Sequence, residues 1–293
     1  MRTDLLGRIR KKLGHLTHEA EPTEFLNTGN KYLNSVLGHP DKGLAYGKIL
    51  EIYGMESNGK TALAIDLACL CQADGAAVVW VDLEHSFDPE WIARRGLKID
   101  EVVLIQPFVG KFEGSKEKRL STVQELMEEA EGVMTELRKS GVLKICIVID
   151  SVAAMLVEEE AEAGLTGQNM RTSNALPVAL GRLLRRWIGL LQDYHAVALF
   201  INQMRTKPGG FGDPAYTPGG NALRFYAHVR VRMRRVKGGR MTQSGKTVGI
   251  KGILRNDKNK GGGVEGTECG FKIFFDGKSR FVAASAIREE AEK

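Results

Sequence analysis

The chain has 293 residues, 43% of them hydrophobic and 27% charged, which indicates one large or two ordinary globular domains rather than a disordered segment. It has no run of about 18 uninterrupted apolar residues, and no apolar segment follows its basic N-terminus, so we expect neither a membrane span nor a secretory signal. The four cysteines lack the spacing of a metal site. We therefore expect free thiols in a cytoplasmic protein.

The net charge of +6 hides an uneven distribution. Residues 201–260 contain 14 Lys and Arg but only two acids, whereas the remainder of the chain has an excess of acidic residues. Such a basic segment favours a polyanionic partner, because clustered cations attract phosphates. A basic face that is merely solvated is the alternative.

The first 27 residues predict a short helix followed by a linker. Leu5, Leu6, Ile9 and Leu13 recur at helical spacing with basic residues between them, and a polar stretch runs from Thr17 to Thr23. This segment either folds back onto its own domain or docks on a neighbouring subunit.

Strand and helix signals alternate from residue 46 to about residue 202. Strands are expected at Lys48–Tyr53, Ala76–Asp82, Val102–Gln106, Leu143–Asp150 and Ala196–Gln203. Helices are expected at Thr61–Gln72, Pro89–Arg95, Thr122–Ser140 and Leu176–Asp193, with Ser121 and Gln124 as a capping box. Because the strand runs are almost continuously apolar, we predict a doubly wound α/β core whose parallel sheet is covered on both faces.

The pattern changes from about residue 227. Residues His228–Arg234 alternate between polar and apolar side chains, and so do parts of Val248–Leu254 and Phe271–Phe275. This alternation predicts an antiparallel extension with one basic face in solvent.

Residues 54–61 read Gly-Met-Glu-Ser-Asn-Gly-Lys-Thr and fit the pattern G-x-x-x-x-G-K-[ST] between a predicted strand and a predicted helix. In this P-loop pattern Lys60 reaches the β- and γ-phosphates of a nucleotide, and the hydroxyl of Thr61 binds Mg²⁺. The other residues expected to hold phosphates are Glu56, Ser57, Asn58 and Gly59. A chance Gly/Lys loop is the alternative.

Three further strand ends carry polar side chains. Asp150 ends an apolar strand, as in a Walker B element, and would hold Mg²⁺ partly through water. Glu84 follows another strand and could polarise a water for attack on phosphate, although Asp82 or Glu84 could instead cap the next helix. Gln203 ends a third strand and could sense a phosphate or simply satisfy a backbone group.

Five blocks of the sequence, in this order, resemble the signature blocks of bacterial RecA recombinases. They are Gly54–Thr61, Asp82–Pro89, Ile149–Ala154, Phe200–Arg205 and Gly219–Arg230, of which the last is the most specific. The resemblance implies a RecA-like P-loop ATPase core over residues 28–285, with an oligomerisation segment at 1–27 and a short tail at 286–293. Phe25 or Leu26 would then be interface anchors.

The resemblance implies an ATP- and Mg²⁺-dependent recombinase. Such a protein forms helical filaments on single-stranded DNA, pairs it with homologous double-stranded DNA and hydrolyses ATP in response to DNA. The alternatives are an ATP-gated DNA coat without strand exchange and a hexameric DNA motor. The family's C-terminal domain is expected to be absent, as in a bacteriophage-encoded form.

Residue roles follow from the same resemblance. Asp88 and Trp91 would contact the nucleotide, with the Trp91 ring stacked on adenine. The catalytic set would be Lys60, Glu84, Gln203, Lys258 and Lys260. The last two lysines would reach across a subunit interface to the neighbour's ATP, as an arginine finger does.

Two loops, about residues 158–173 and 204–219, are expected to bind DNA. Both contain glycine and resist assignment to regular structure. The residues expected to contact DNA are Arg171, Arg205, Lys207, Phe211, Gly219 and Gly220. In the second loop, Phe211 or Pro208 would insert between bases.

Overall fold

The computed structural model describes residues 23–110, 119–163, 170–206, 215–276 and 281–284, together with four helical positions at 5, 8, 11 and 12. The helices are α1 (Lys31–Leu37), α2 (Lys60–Ala73), α3 (Pro89–Arg94), α4 (Val123–Lys139), α5 (Glu158–Ala163), α6 (Met170–Asp193) and α7 (Gly220–Tyr226). The strands are β1 (Phe25–Leu26), β2 (Leu44–Ala45), β3 (Ile49–Gly54), β4 (Ala76–Asp82), β5 (Val102–Ile105), β6 (Val109–Gly110), β7 (Arg119–Leu120), β8 (Lys144–Asp150), β9 (Ala196–Gln203), β10 (Arg205–Thr206), β11 (Ala215–Tyr216), β12 (Val229–Gln243), β13 (Lys246–Asn259), β14 (Glu268–Phe274) and β15 (Val282–Ala284). None of the helices in these ranges is long and apolar enough to cross a membrane.

Nine of the described strands form one sheet in the order β15-β14-β13-β12-β3-β9-β8-β4-β5. The six strands from β12 to β5 run parallel to one another, and β13, β14 and β15 continue the sheet in antiparallel fashion. This arrangement confirms the predicted α/β fold with a mostly parallel sheet and an antiparallel extension.

Apolar layers cover both faces of the sheet. One layer includes α1 and α2, and the other includes α4 and α6. Strand β8 shows why the apolar runs are continuous: Cys146 and Val148 belong to the first layer, while Ile145, Ile147 and Ile149 belong to the second. Because successive side chains of a strand point to opposite faces, a strand buried on both faces needs an apolar residue at every position.

The helix α4 begins one residue later than predicted. The capping box joins Thr122 and Glu125: the Thr122 N–H donates to Glu125 Oε2 at 2.8 Å, and the Glu125 N–H donates to Thr122 Oγ1 at 3.5 Å. The predicted pair of Ser121 and Gln124 was therefore wrong. The Ser121 hydroxyl instead accepts a hydrogen bond from the Phe108 N–H at 3.1 Å and holds the preceding loop.

The first predicted DNA loop is partly helical. Glu158–Ala163 forms α5, and α6 begins at Met170, six residues before the predicted start at Leu176. Three of the four acidic residues of α5, Glu158, Glu159 and Glu160, lie in its first turn, where the helix dipole stabilises them. Pro177 lies inside α6. Because proline usually occupies the first turn of a helix, its position favoured a start near Leu176 and explains the error in the predicted start.

The predicted interface anchor Leu26 packs inside its own chain. Leu26 is 3% exposed and belongs to the core, and β1 pairs with β2. The Phe25 ring contacts His39 edge-on, with ring centroids 5.6 Å apart. Leu26 therefore contributes to the fold of its own domain, which corrects the expectation of an anchor there.

The antiparallel extension is dominated by one long hairpin. Strands β12 and β13 are joined at Ser244 and Gly245, both with positive φ, which suits a tight hairpin turn. Arg235 pairs with Gly252 and Arg240 pairs with Ile250, so residues 236–239 bulge opposite a single residue of β13. Between Arg230 and Asn256 the hairpin contains no acidic residue.

Candidate nucleotide site

The P-loop joins the carboxyl end of β3 to the start of α2. Gly59 has φ +88°, and a Cβ atom there would collide with Ile273 Cδ1, so only glycine fits. Asn58 Nδ2 donates to the Met233 carbonyl at 3.1 Å and fixes the loop to β12. No side chain caps α2 and its first turn has no acid, so its N–H groups face the loop as an anion-binding end.

Lys60 lies over this loop. Its Nζ donates to the Met55 carbonyl at 3.0 Å. Burial lowers the pKa of Lys60, while Asp150, Glu84 and Glu56 oppose that change. The ammonium group is thus poised beside the space that the motif reserves for phosphates.

Thr61 and Asp150, the two predicted magnesium ligands, contact each other directly. Thr61 Oγ1 donates to Asp150 Oδ2 at 3.0 Å. Burial, helped by the nearby carboxylates of Glu84 and Asp82, raises the pKa of Asp150 to about 7, although the Thr61 hydrogen bond and Lys60 act in the opposite direction. A hydroxyl and a carboxylate are the hard oxygen ligands that Mg²⁺ prefers, and Mg²⁺ takes its other ligands from water and phosphate. The donor set therefore fits Mg²⁺.

Glu84, Ser151 and Gln203 converge from three neighbouring strands. Glu84 Oε1 accepts hydrogen bonds from Ser151 Oγ and from Gln203 Nε2, the latter at 3.2 Å. Glu84 itself is exposed. The structure thus brings together the candidate water-activating carboxylate and the candidate phosphate sensor, beside the Asp150 strand.

The alternative role of Glu84 as a helix cap is not what the structure shows. Asp88 caps α3, because its Oδ1 accepts from the N–H groups of Glu90 and Trp91 at 3.0 and 3.1 Å. Asp82 instead accepts from the N–H groups of Ser86 and Phe87 and from the Gln106 amide. Capping alone explains Asp88, so its contact with nucleotide stays a prediction.

Trp91 lies on the side of α2. Its ring is partly buried and packs 5.7 Å from the Arg95 guanidinium carbon. Arg95 Nη2 forms a buried ion pair with Asp66 of α2 at 2.7 Å. The Trp91 ring is therefore held against the helix that starts at the P-loop, which is compatible with stacking on a base.

Lys258 and Lys260 lie near the amino ends of the parallel strands, whereas the P-loop lies at the carboxyl ends. We call these two ends of the strands the amino edge and the carboxyl edge of the sheet. Lys258 pairs with Arg230, which pairs with Glu51 near the start of β3, roughly 10 Å along the strand from the P-loop. Lys258 Nζ donates to the carbonyls of Arg224 and Phe225 at 2.8 and 2.7 Å. Neither lysine is brought to the P-loop of its own chain.

The second predicted DNA loop has an ordered base. Arg205 and Thr206 pair with Tyr216 and Ala215, and Arg205 is exposed. Two of the predicted DNA contacts, Lys207 and Phe211, lie outside the described residues. Arg171 has its backbone in the first turn of α6.

Gly219 and Gly220 close this second loop against α6. Both have positive φ. A Cβ on Gly219 would lie 2.6 Å from Leu180 Cδ1, and one on Gly220 would lie 3.0 Å from Pro177 Cγ. The left-handed backbone and this close packing therefore favour glycine at both positions, whether or not they contact DNA.

The sequence did not predict a buried polar cluster behind the site. Glu51 is fully buried in β3, pairs with Arg230 and accepts from Asn202 Nδ2 at 2.9 Å. An acid inside the apolar run Ile49–Tyr53 is the signal that could have revealed it, since a buried carboxylate needs a partner.

Three features define an α/β protein of the P-loop class. They are the uncapped start of α2, the contact between the Thr61 hydroxyl and the Asp150 carboxylate, and the mostly parallel sheet. The chain matches the RecA N-terminal domain over residues 7–275. It is 35% identical over 220 residues to protein RecA of Sulfurimonas denitrificans, covering 74% of this chain and 57% of that protein. It is 33% identical over 244 residues to protein RecA of Campylobacter hominis, covering 83% and 63%. The chain belongs to the RecA family, and it spans less than two thirds of the length of these relatives.

Proposed function

We propose that the protein is an ATP-dependent DNA recombinase that forms helical filaments on single-stranded DNA and exchanges strands with a homologous duplex. The observation that carries the proposal is the shared contact of Glu84 with Ser151 and Gln203 beside the P-loop. Through this contact the candidate catalytic carboxylate and the start of the loop at 204–219, the predicted DNA loop, belong to one hydrogen-bonded group. The relatives named RecA support the same function.

The P-loop residues would bind and orient the nucleotide. The N–H groups at the start of α2 and the Lys60 ammonium would hold the phosphates. Mg²⁺, bound by Thr61 and Asp150, would offset phosphate charge during hydrolysis. The exposed carboxylate of Glu84 would orient a water and accept its proton.

Gln203 would couple the nucleotide to DNA. Its amide contacts Glu84 and its backbone leads directly into the loop at 204–219. A γ-phosphate that competes for this amide would change the position of the strand end that carries the loop. Arg205 and the basic hairpin would contact DNA phosphates without reading sequence, as pairing by homology requires.

Lys258 and Lys260 would act on the nucleotide of a neighbouring subunit. They lie at the amino edge of the sheet, remote from the P-loop of their own chain. A head-to-tail contact would bring this edge to the next P-loop, and repeated contacts of this kind generate an open filament. Hydrolysis would then require assembly.

The test is ATP hydrolysis with and without single-stranded DNA, with the same samples imaged by electron microscopy. We expect hydrolysis that DNA stimulates, together with helical filaments. Filaments without hydrolysis would indicate a DNA coat, and closed rings with hydrolysis would indicate a motor. Either result would overturn the recombinase proposal, whereas the expected result leads to a strand-exchange assay.

A further inference from the structure

Asn202 is a fully buried amide at the base of the loop at 204–219. Its Nδ2 donates to Glu51 Oε1 at 2.9 Å and to the Pro218 carbonyl at 3.1 Å. Its Oδ1 accepts from the Gln203 N–H at 2.9 Å. Both amide hydrogens and the amide oxygen are therefore used, and no other neutral side chain of this size offers two donors and an acceptor.

The three partners of Asn202 belong to different parts of the site. Gln203 contacts the candidate catalytic carboxylate Glu84. Pro218 is the last residue of the loop before the two glycines that pack on α6. Glu51 is held in turn by the buried guanidinium of Arg230. Asn202 thus joins the nucleotide side, the returning end of the loop and the interior of the sheet.

The surroundings make this junction stiff. The Met204 N–H donates to the Gly54 carbonyl at 3.0 Å, which attaches the outgoing end of the loop to the P-loop strand. At the returning end, Gly219 packs closely against Leu180 and Val152. Because Asn202 bonds to both, a displacement of Gln203 would reach Pro218 through the Asn202 amide.

We propose that Asn202 is a positioning residue that couples the nucleotide state at Gln203 to the affinity of the second loop for DNA. The inference rests on the proposed function. It assigns to Asn202 a role distinct from binding either ligand, because its side chain is buried and faces protein groups only. Removal of the amide should leave both ligands able to bind and should break the dependence of one on the other.

The test compares wild type with Asn202→Ala in fluorescence anisotropy of labelled single-stranded DNA, with and without a non-hydrolysable ATP analogue. The ratio of the two DNA dissociation constants measures the coupling, which is roughly 5- to 150-fold in typical allosteric proteins. We expect the ratio for Asn202→Ala to fall to within about twofold of one, while the analogue itself binds with an affinity within about threefold of wild type.

Asn256→Ala is the matched control. Asn256 is also a fully buried asparagine of the same sheet; it lies in β13, two strands from β3 and three from the strand of Asn202, and its Nδ2 donates to the Val36 carbonyl at 2.6 Å. Its loss should lower stability without changing the ratio. Equal loss of coupling in both variants would show a general structural defect and would overturn the inference.

The remaining outcomes are also decisive. Asn202→Ala with wild-type coupling would refute the role of Asn202 and leave the proposed function intact. If the DNA dissociation constant of the wild-type protein does not change when the ATP analogue is added, the proposed function is refuted as well. If Asn202→Ala does not fold, Asn202→Ser is measured instead: it keeps one donor, so it can hold Glu51 or Pro218 but not both, and we expect an intermediate ratio. An unchanged ratio in that variant would overturn the inference.

Discussion

The two edges of the central sheet carry opposite charge. At the carboxyl edge, Asp150 lies near Glu84 and Asp82, and these carboxylates together with burial raise its pKa to about 7. At the amino edge, burial and the nearby Lys260 and Arg230 lower the pKa of Lys258 to about 8. At each edge, like charges close together make the ionised form of Asp150 or of Lys258 less favourable.

A second copy of the chain could compensate these charges. Within one chain the two edges lie at opposite ends of β3, so neither can neutralise the other. A second copy stacked head to tail would place cations beside the nucleotide edge. On the proposed function, the amino edge of one subunit is thus electrostatically complementary to the carboxyl edge of the next subunit in a filament.

The largest expected effect is at the nucleotide edge. Lys60→Ala should lower ATP hydrolysis by at least about 100-fold, because the buried ammonium is the cation that the P-loop supplies to the phosphates. The measurement is steady-state hydrolysis with saturating single-stranded DNA, followed by imaging for filaments. Lys98→Ala, which removes an exposed lysine paired with Glu101, is the control. Normal strand exchange by Lys60→Ala would refute the P-loop assignment.

A mixing experiment tests whether the two edges act on each other. Glu84→Gln should bind ATP and DNA but lose turnover by about 100- to 10,000-fold, since its amide oxygen can still accept from Ser151 and Gln203 but cannot take a proton. Lys258→Ala should also be inactive. In an equimolar mixture about a quarter of the interfaces combine an intact carboxyl edge with an intact amino edge, so activity should return to about that fraction.

The mixture is compared with each variant alone at the same total concentration. Glu90→Gln, a change at an exposed glutamate of α3, should hydrolyse ATP normally. A mixture no more active than its components would show that the edges do not cooperate between subunits.

A smaller effect is expected on DNA binding by the basic hairpin. Arg235→Ala should reduce the magnitude of the slope of log affinity against log salt by about 0.7 if Arg235 neutralises one phosphate of single-stranded DNA. Binding is measured by anisotropy at several salt concentrations. Lys139→Ala, on the exposed end of α4, should leave the slope unchanged. A slope of zero in the wild type would contradict phosphate binding altogether.

The smallest effect concerns the stability of the amino edge in acid. Burial, then the nearby Lys48, Lys260 and Lys258, lower the pKa of His228 from 6.5 to about 4. Because the folded pKa lies below the unfolded value, the unfolded chain binds more protons between these two pH values, and stability falls as pH drops through this window. His228→Gln should therefore lose less stability than wild type between pH 7 and pH 4.5, as measured by urea unfolding. Identical pH profiles would show that His228 does not titrate as assigned.

The sequence predicted those parts of the fold that depend on local pattern. The continuous apolar run of β8 correctly indicated a strand buried on both faces, and the P-loop pattern correctly placed a turn between β3 and α2. The predicted capping box was off by one residue because the side chains of both Ser121 and Thr122 can cap a helix. What distinguishes them is that the Ser121 hydroxyl is already bonded to the Phe108 N–H.

Features that depend on distant contacts were not predictable. Asn202 was overlooked because its partners, Glu51 and Pro218, are far apart in the chain. The side of the sheet on which Lys258 lies depends on the register between β12 and β13, which contains bulges that the alternation does not reveal. The resemblance to RecA recombinases predicted a role for Lys258 but not its surroundings, and it assigned no role to Asn202.

The contact between Gly59 and Ile273 has a consequence for dissection of the protein. Asn58 is tied to Met233, and Ile273 fills the space behind Gly59, so β12 and β14 form the rear wall of the phosphate loop. A fragment that ends after β12, the last of the parallel strands along the chain, would retain Lys60, Thr61, Asp150 and Met233 yet lack Ile273 of β14. On the proposed function, the smallest fragment of this chain that binds nucleotide would therefore extend to at least the end of β14.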